Sequence, residues 1–248
     1  MIKKALKGTA ILALWLLIWQ AAAMIINDIF LIPTPLETLK ALFVLGQTGA
    51  FYLAVLKSLL RIVIGYTLGV AVGFLGGVAA NKFSLFNDIT NPAMQVIKAV
   101  PVASFIILAF FWFKSDDLPI FIAFLMVLPM VWSATQTALS GIDQKYIELA
   151  KVYKLSPVKI FFKIKMPFIA KTLLTTCLTA LGFAWKSGIA AEIICRPQMA
   201  LGTLLNDHKN YFDMPSVFAL TVVVAMLSII LEIVLKQIVR RVLNAENK

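Results

Sequence analysis

The chain has 248 residues, of which 61% are hydrophobic and 14% charged, with a formal net charge of +11. Soluble domains hold about a quarter of their residues as charged types, so no soluble domain of any size fits here. The positive charge does not mark a nucleic-acid partner, because the cations cluster in short segments between apolar runs, as loops beside membrane spans do.

Lys3, Lys4 and Lys7 precede an apolar stretch from Thr9 to Ile26. That start resembles a secretory leader, with Ala21-Ala22-Ala23 as a cleavage site. The run is nevertheless long enough to span and carries Trp15 and Trp19, so it reads as a retained first span. Further apolar runs follow, and the predicted fold is all-α: one polytopic membrane domain over residues 1–248. Its six spans cover about 9–26, 52–80, 96–113, 118–138, 168–194 and 217–239. Backbone groups in lipid must pair within their segment, which requires helices, and nothing alternates at period two as a barrel would.

With the N-terminus inside, 16 lysines and arginines fall in cytoplasmic segments and 5 in outer ones, and Arg61 and Lys186 lie within spans. Both termini are therefore expected in the cytoplasm. In the second span Gly65, Gly69, Gly73 and Gly77 recur every four residues, a face open to close helix packing or to sliding between two states. Pro101 and Pro129 are expected to interrupt the third and fourth spans. Cys177, Cys195 and His208 cannot make a four-ligand metal site alone, no disulfide framework is visible, and Cys177 reads as a small buried hydrophobe.

The longest cytoplasmic connection, about 139–167, differs from the rest. Ile147, Leu149, Ala150, Val152 and Tyr153 give a short helix with a mixed apolar surface. Ser156 and Pro157 form an N-cap and first-turn pair that opens a second. There Ile160, Phe161 and Ile164 stand against Lys159, Lys163 and Lys165, and Pro167 is expected to end the helix. Apolar residues exposed among charges need a covering surface, either a protein or anionic lipid.

Glu148-Leu149-Ala150, Lys154, Ile164 and Met166-Pro167 resemble the Glu-Ala-Ala loop of ABC importer permeases. Other segments are similar to the nitrate, sulfonate and taurine branch: Ile32-Pro33-Thr34-Pro35, Ser58-Leu59-Leu60-Arg61 with Gly65 and Gly69, and Lys98-Ala99-Val100-Pro101. So are Ala191-Glu192-Ile193, Leu201-Gly202 and Asn210-Tyr211-Phe212-Asp213. The resemblance runs from about residue 30 to about 242. It implies a type I importer permease whose coupling loop, with Glu148, Leu149, Ala150, Lys154, Ser156 and Pro157, seats in an ATPase subunit. It also implies a second permease, identical or related, an extracytoplasmic substrate-binding protein, and a bacterial cytoplasmic membrane. The substrate is left open among nitrate, sulfonates, taurine and pyrimidine-like solutes. Lys154 stands where the family has glycine, and a left-handed lysine there costs about 1 kcal/mol.

The chain has no Gly-x-x-x-x-Gly-Lys-Ser/Thr loop. It is therefore not expected to be an enzyme or to hold a cofactor; ATP and Mg belong to the ATPase partner. Arg61, Lys186 and Glu192 are candidates for the path or its outer mouth. Arg61 and Lys186 are expected at similar depths near the outer boundary, either anchoring in headgroups or presenting cations to an anionic solute. Glu232 and Lys236 form a local pair, and Gln95 and Gln136 face either a path or neighbouring helices. Two competing readings remain: a stand-alone secondary transporter or channel, which needs carboxylates or broken helices at the midplane, and a scaffold, which leaves the paired-helix loop unexplained.

Overall fold

Among the described residues every regular element is helical. The structure is a computed structural model that describes residues 2–246, with side chains for 8–241; the side chains of Lys3, Lys4, Lys7 and Lys248, counted in the charge bias, lie outside the described residues. In chain order come α1 (Ile2–Ile26), α2 (Pro35–Leu45), α3 (Gly49–Lys82), α4 (Ser84–Ala99), α5 (Val102–Ala109) and α6 (Leu118–Ser140). They are followed by α7 (Gln144–Val152), α8 (Pro157–Ile160), a π turn (Phe161–Lys165), α9 (Met166–Cys195), α10 (Leu201–Asn210) and α11 (Met214–Glu246).

Five helical runs are long and apolar enough to cross a membrane, and a sixth if α4 and α5 count as one bent span. The third span is interrupted at Pro101 as expected, but its first helix starts at Ser84 and not near 96. Val100 is extended ahead of Pro101, as a residue before proline must be, and the two helices meet at 106°. Lys98, at the end of α4, donates to Ser133 Oγ of α6 at 2.8 Å. Pro129 does not interrupt α6, which runs unbroken from Leu118 to Ser140. Nor does Pro167 end the second loop helix. The π turn lets the Met166 N–H reach Phe161 O, so the helical path continues past the missing proline donor.

The core is built where α3, α6 and α9 meet. The glycine face of α3 seats α6 directly: a Cβ on Gly65 would stand 2.3 Å from Ile120 O, and one on Gly69 2.7 Å from Val127 Cβ. A Cβ on Gly73 would stand 2.9 Å from Leu128 O, and one on Gly77 2.7 Å from Thr135 Cβ. A stripe without side chains is thus what lets two backbones approach where lipid supplies no hydrophobic drive. Hydrogen bonds then add the other helices. Tyr66 Oη donates to Cys177 O of α9, and Trp185 Nε1 donates to Val224 O of α11, both at 3.0 Å. The α1 helix stays peripheral, held where Trp19 donates to Pro33 O at 3.0 Å and stacks on Phe218. Thr34 and Glu37 close a capping box at the start of α2, with Pro35 in its first turn.

Candidate functional site

Sequence chemistry shapes the α7–α8 loop. Asp143 caps α7 by accepting from the Lys145 N–H at 2.9 Å, and Ser156 caps α8 by accepting from the Lys159 N–H, with Pro157 at the first helical position. Between them α7 ends in a Schellman turn. The Lys154 N–H reaches Lys151 O, the Leu155 N–H reaches Ala150 O, and Lys154 adopts φ 52°. The glycine-type conformation expected at Lys154 is therefore present with lysine in it.

The three residues of the Glu-Leu-Ala triplet do not share one environment. Glu148 and Leu149 are exposed, whereas Ala150 is buried on the inward side of α7. Tyr146, Leu149 and Tyr153 form an outward apolar face, each more than half exposed. Spacings of three and four place them together on the helix. Ala150 thus belongs to the seat of α7 on the rest of the chain, not to the surface it offers.

At the opposite end of the spans the structure assembles a buried polar knot. Helix α10 begins after Ala200, which has no side-chain acceptor for the free N–H groups of the first turn. Two other helices supply it. Ser58 Oγ of α3 accepts from the Leu201 N–H at 2.9 Å, and Glu192 Oε2 of α9 accepts from the Gly202 N–H at 3.1 Å and from Ser58 Oγ at 2.7 Å. Gly202 is required for this approach, since a Cβ would lie 2.4 Å from Glu192 Cβ. Arg61 completes the knot. Its Nη2 meets Asp116 at 2.5 Å and Gln198 O at 3.0 Å, while its Nη1 stands 3.8 Å from Glu192 Oε1.

This geometry corrects the reading of Arg61 and Glu192 as groups presented to a path. Glu192 is fully buried and Arg61 is 9% exposed, each held by hydrogen bonds in the knot. Of their buried atoms only Arg61 Nη1 and Glu192 Oε1, 3.8 Å apart, lack one. Nor do Arg61 and Lys186 share a depth: Lys186 lies six residues before Glu192 on α9, about 9 Å along the helix. Lys186 remains exposed, on a cleft of about 300 Å³ that it shares with Thr179, Gly182, Ser228 and Glu232. It continues a stripe on α9 that includes Thr172, Thr175 and Thr179, all exposed. Helix α4 offers a second exposed polar row of Asp88, Asn91, Gln95 and Lys98. Gln136 is not part of it, because its Nε2 donates to Asn87 Oδ1 at 2.7 Å and ties α6 to α4. Glu232 and Lys236 pair at 2.5 Å as expected.

Asp116 and Gln198 escaped the sequence reading, since each sits in a short connection with no local pattern. Glu192 carried a usable signal, because a carboxylate inside an apolar run must find a donor or a cation. No group of His, Cys, Asp and Glu able to hold a metal occurs among the described residues.

Comparison with known proteins agrees with this architecture. Residues 65–244 match the family described as binding-protein-dependent transport system inner membrane component. The chain is 26% identical over 228 residues to a probable ABC transporter permease protein of Brucella melitensis, covering 92% of this chain and 90% of the relative. It is 26% identical over 208 residues to a nitrate import permease protein of Leptolyngbya laminosa, covering 82% and 73%. It is 29% identical over 171 residues to a bicarbonate transport system permease protein of Synechocystis, covering 68% and 61%. Among solved structures, an amino acid ABC transporter chain superposes with TM-score 0.59 at 11% identity, covering 78% of this chain and 94% of that one. The MetNI methionine ABC transporter in an inward-facing conformation gives 0.56 at 15% identity, covering 77% and 93%. These two likenesses concern the fold.

Proposed function

The chain belongs to the inner-membrane components of binding-protein-dependent transport systems, the permease subunits of ABC importers, and on that premise we propose that two permeases pair across the exposed polar face of α9. The observation that carries this reading is the stripe of Thr172, Thr175, Thr179 and Lys186 on a membrane-crossing helix. Against hydrocarbon, a lysine near mid-span costs about 2.5–3.5 kcal/mol. Facing a water-filled path between two copies, it costs far less. The row on α4, with its helix broken at Val100-Pro101, supports the same placement, since irregular backbone at membrane depth belongs beside protein or water.

In this reading α7 and α8 face the cytoplasm, as do both termini. Tyr146, Leu149 and Tyr153 dock into an ATPase subunit that binds ATP and Mg, while a substrate-binding protein delivers the solute at the α10 end. The solute is a small anion, drawn toward two copies of Lys186 by several kT in a low-dielectric funnel. Nitrate and bicarbonate, for which two relatives are named, are of that kind. A stand-alone secondary transporter has less support, because the buried carboxylate of Glu192 is committed to the knot.

The test is disulfide cross-linking in native membranes. Thr179→Cys is expected to give a permease dimer, and Leu56→Cys, exposed on α3, is expected to give none. A dimer from Leu56→Cys and none from Thr179→Cys would overturn the pairing.

A further inference from the structure

At the α7 end a cleft of about 620 Å³ opens between the last turn of α3 and the inward side of the loop. Its walls are apolar, with Val78, Ile147, Leu155, Val158 and Phe162 among them, and its polar rim includes Lys82, Lys151 and Lys165 but no carboxylate. None of these three lysines belongs to an ion pair among the described residues. A second groove, of about 410 Å³, shares Val78, Phe161 and Phe162 with it and continues to Phe74, Leu75 and Met166. Phe74, Val78 and Lys82 follow one another every four residues on α3, so a single trough runs about 12 Å down one helix face. It is cationic at the end formed by Lys82 and the loop and wholly apolar toward Phe74 and Leu75.

We propose that this trough holds one anionic phospholipid, its phosphate on Lys82, Lys151 and Lys165 and an acyl chain along Phe74, Leu75 and Phe162. Three cations without a carboxylate partner, Lys82 also lying over the Phe83 ring at 5.0 Å, complement a lipid of net negative charge better than a zwitterionic one. The π turn contributes Phe161, Phe162 and Lys165 together, so a bound lipid joins the loop to the end of α3. The site is separate from the docking face. Ile147 and Lys151 lie on the cleft side of α7, and Tyr146, Leu149 and Tyr153 lie on the far side. The inference therefore stands whether or not the proposed ATPase contact does.

The full chain in nanodiscs, or released from them for native mass spectrometry, provides the measurement. Dioleoyl phosphatidylglycerol is expected to bind in preference to dioleoyl phosphatidylcholine, by about fivefold per contributing lysine. The triple variant Lys82→Gln, Lys151→Gln, Lys165→Gln should lose that preference. Lys159→Gln with Lys163→Gln, two loop lysines away from the trough, should keep it. Leu75→Trp should weaken binding of phosphatidylglycerol by filling the acyl groove, and millimolar inorganic phosphate should not displace the lipid. Equal binding of the two lipids by the unaltered chain would overturn the proposal. So would an equal loss in the Lys159/Lys163 variant, which would mean general surface charge, or displacement by phosphate, which would mean a free-anion site.

Discussion

Lys154 holds a left-handed conformation at the end of α7, where a Cβ crowds the backbone and glycine does not. Lys154→Gly is expected to stabilise the protein by about 1 kcal/mol, read as a higher unfolding temperature in detergent. An unchanged or lower temperature would mean that the lysine side chain makes a compensating contact. Phe212 repeats the arrangement at the end of α10, with φ 56° and the Asp213 N–H on His208 O. In the knot, the cost of removing a partner depends on what stays behind. Arg61→Gln leaves the half-exposed Asp116 and the buried Glu192 without their cation, and leaving a buried charge such as Glu192 unpaired costs about 3–5 kcal/mol. Its expected signature is poor accumulation of folded protein. Normal yield and melting with lost uptake would instead return Arg61 to a role in the path.

At the scale of elements, the glycine face of α3 is a packing surface, and each position reads directly onto α6. Gly69→Leu should prevent the close approach to Val127 and Phe124 and abolish folded protein. Gly182→Ala, where nothing stands within 4 Å of an added Cβ, should be tolerated. The α7 helix divides its triplet between an exposed face and a buried seat. Leu149→Glu, on the outward face, is expected to abolish ATP-driven uptake while leaving insertion intact. Coupled transport at the normal rate in that variant would remove α7 as the contact. Ala150→Arg would be a poor probe, because it buries a charge in the seat of the loop. Between α10 and α11, burial raises the Asp213 carboxyl, but hydrogen bonds from Ser216 and His208 outweigh it and hold it below its usual value. A depressed carboxylate contributes stability at pH above its unfolded value and loses it as pH falls through the folded one. Amide protection factors at the start of α11, corrected for intrinsic exchange, should therefore fall in acid, below about pH 4, and Asp213→Asn should remove that dependence.

For the molecule as a whole, charge has been sorted between inside and surface. Arg61 and Glu192 are spent on joining α3, α9 and α10, and Lys186 alone of the three original candidates remains exposed. Lys186→Met at constant expression is expected to lower anion uptake at least tenfold while barely changing melting. Unchanged uptake would make Lys186 a headgroup anchor and remove the residue-based reason for an anionic solute.

Composition and run length sufficed for an all-helical membrane protein, because hydrocarbon leaves the backbone no other way to pair its polar groups. The caps at Ser156-Pro157, the glycine stripe and the Glu232–Lys236 pair were also legible, since each depends on residues within a turn or two, whereas the left-handed Lys154 followed only from the family resemblance. Tertiary structure decided what depends on distant partners. Nothing near Glu192 in sequence announces that it will cap α10 beside Ser58, across 134 positions of chain. Of the prolines, Pro101 interrupts its span as expected, whereas Pro129 and Pro167 do not break theirs, for the same reason. Pro101 bends its span by 106°, Pro129 leaves α6 unbroken, and Pro167 is absorbed by a π turn. The donor that proline lacks is the same in all three, and only the surrounding packing determines whether the helix breaks, continues or shifts register.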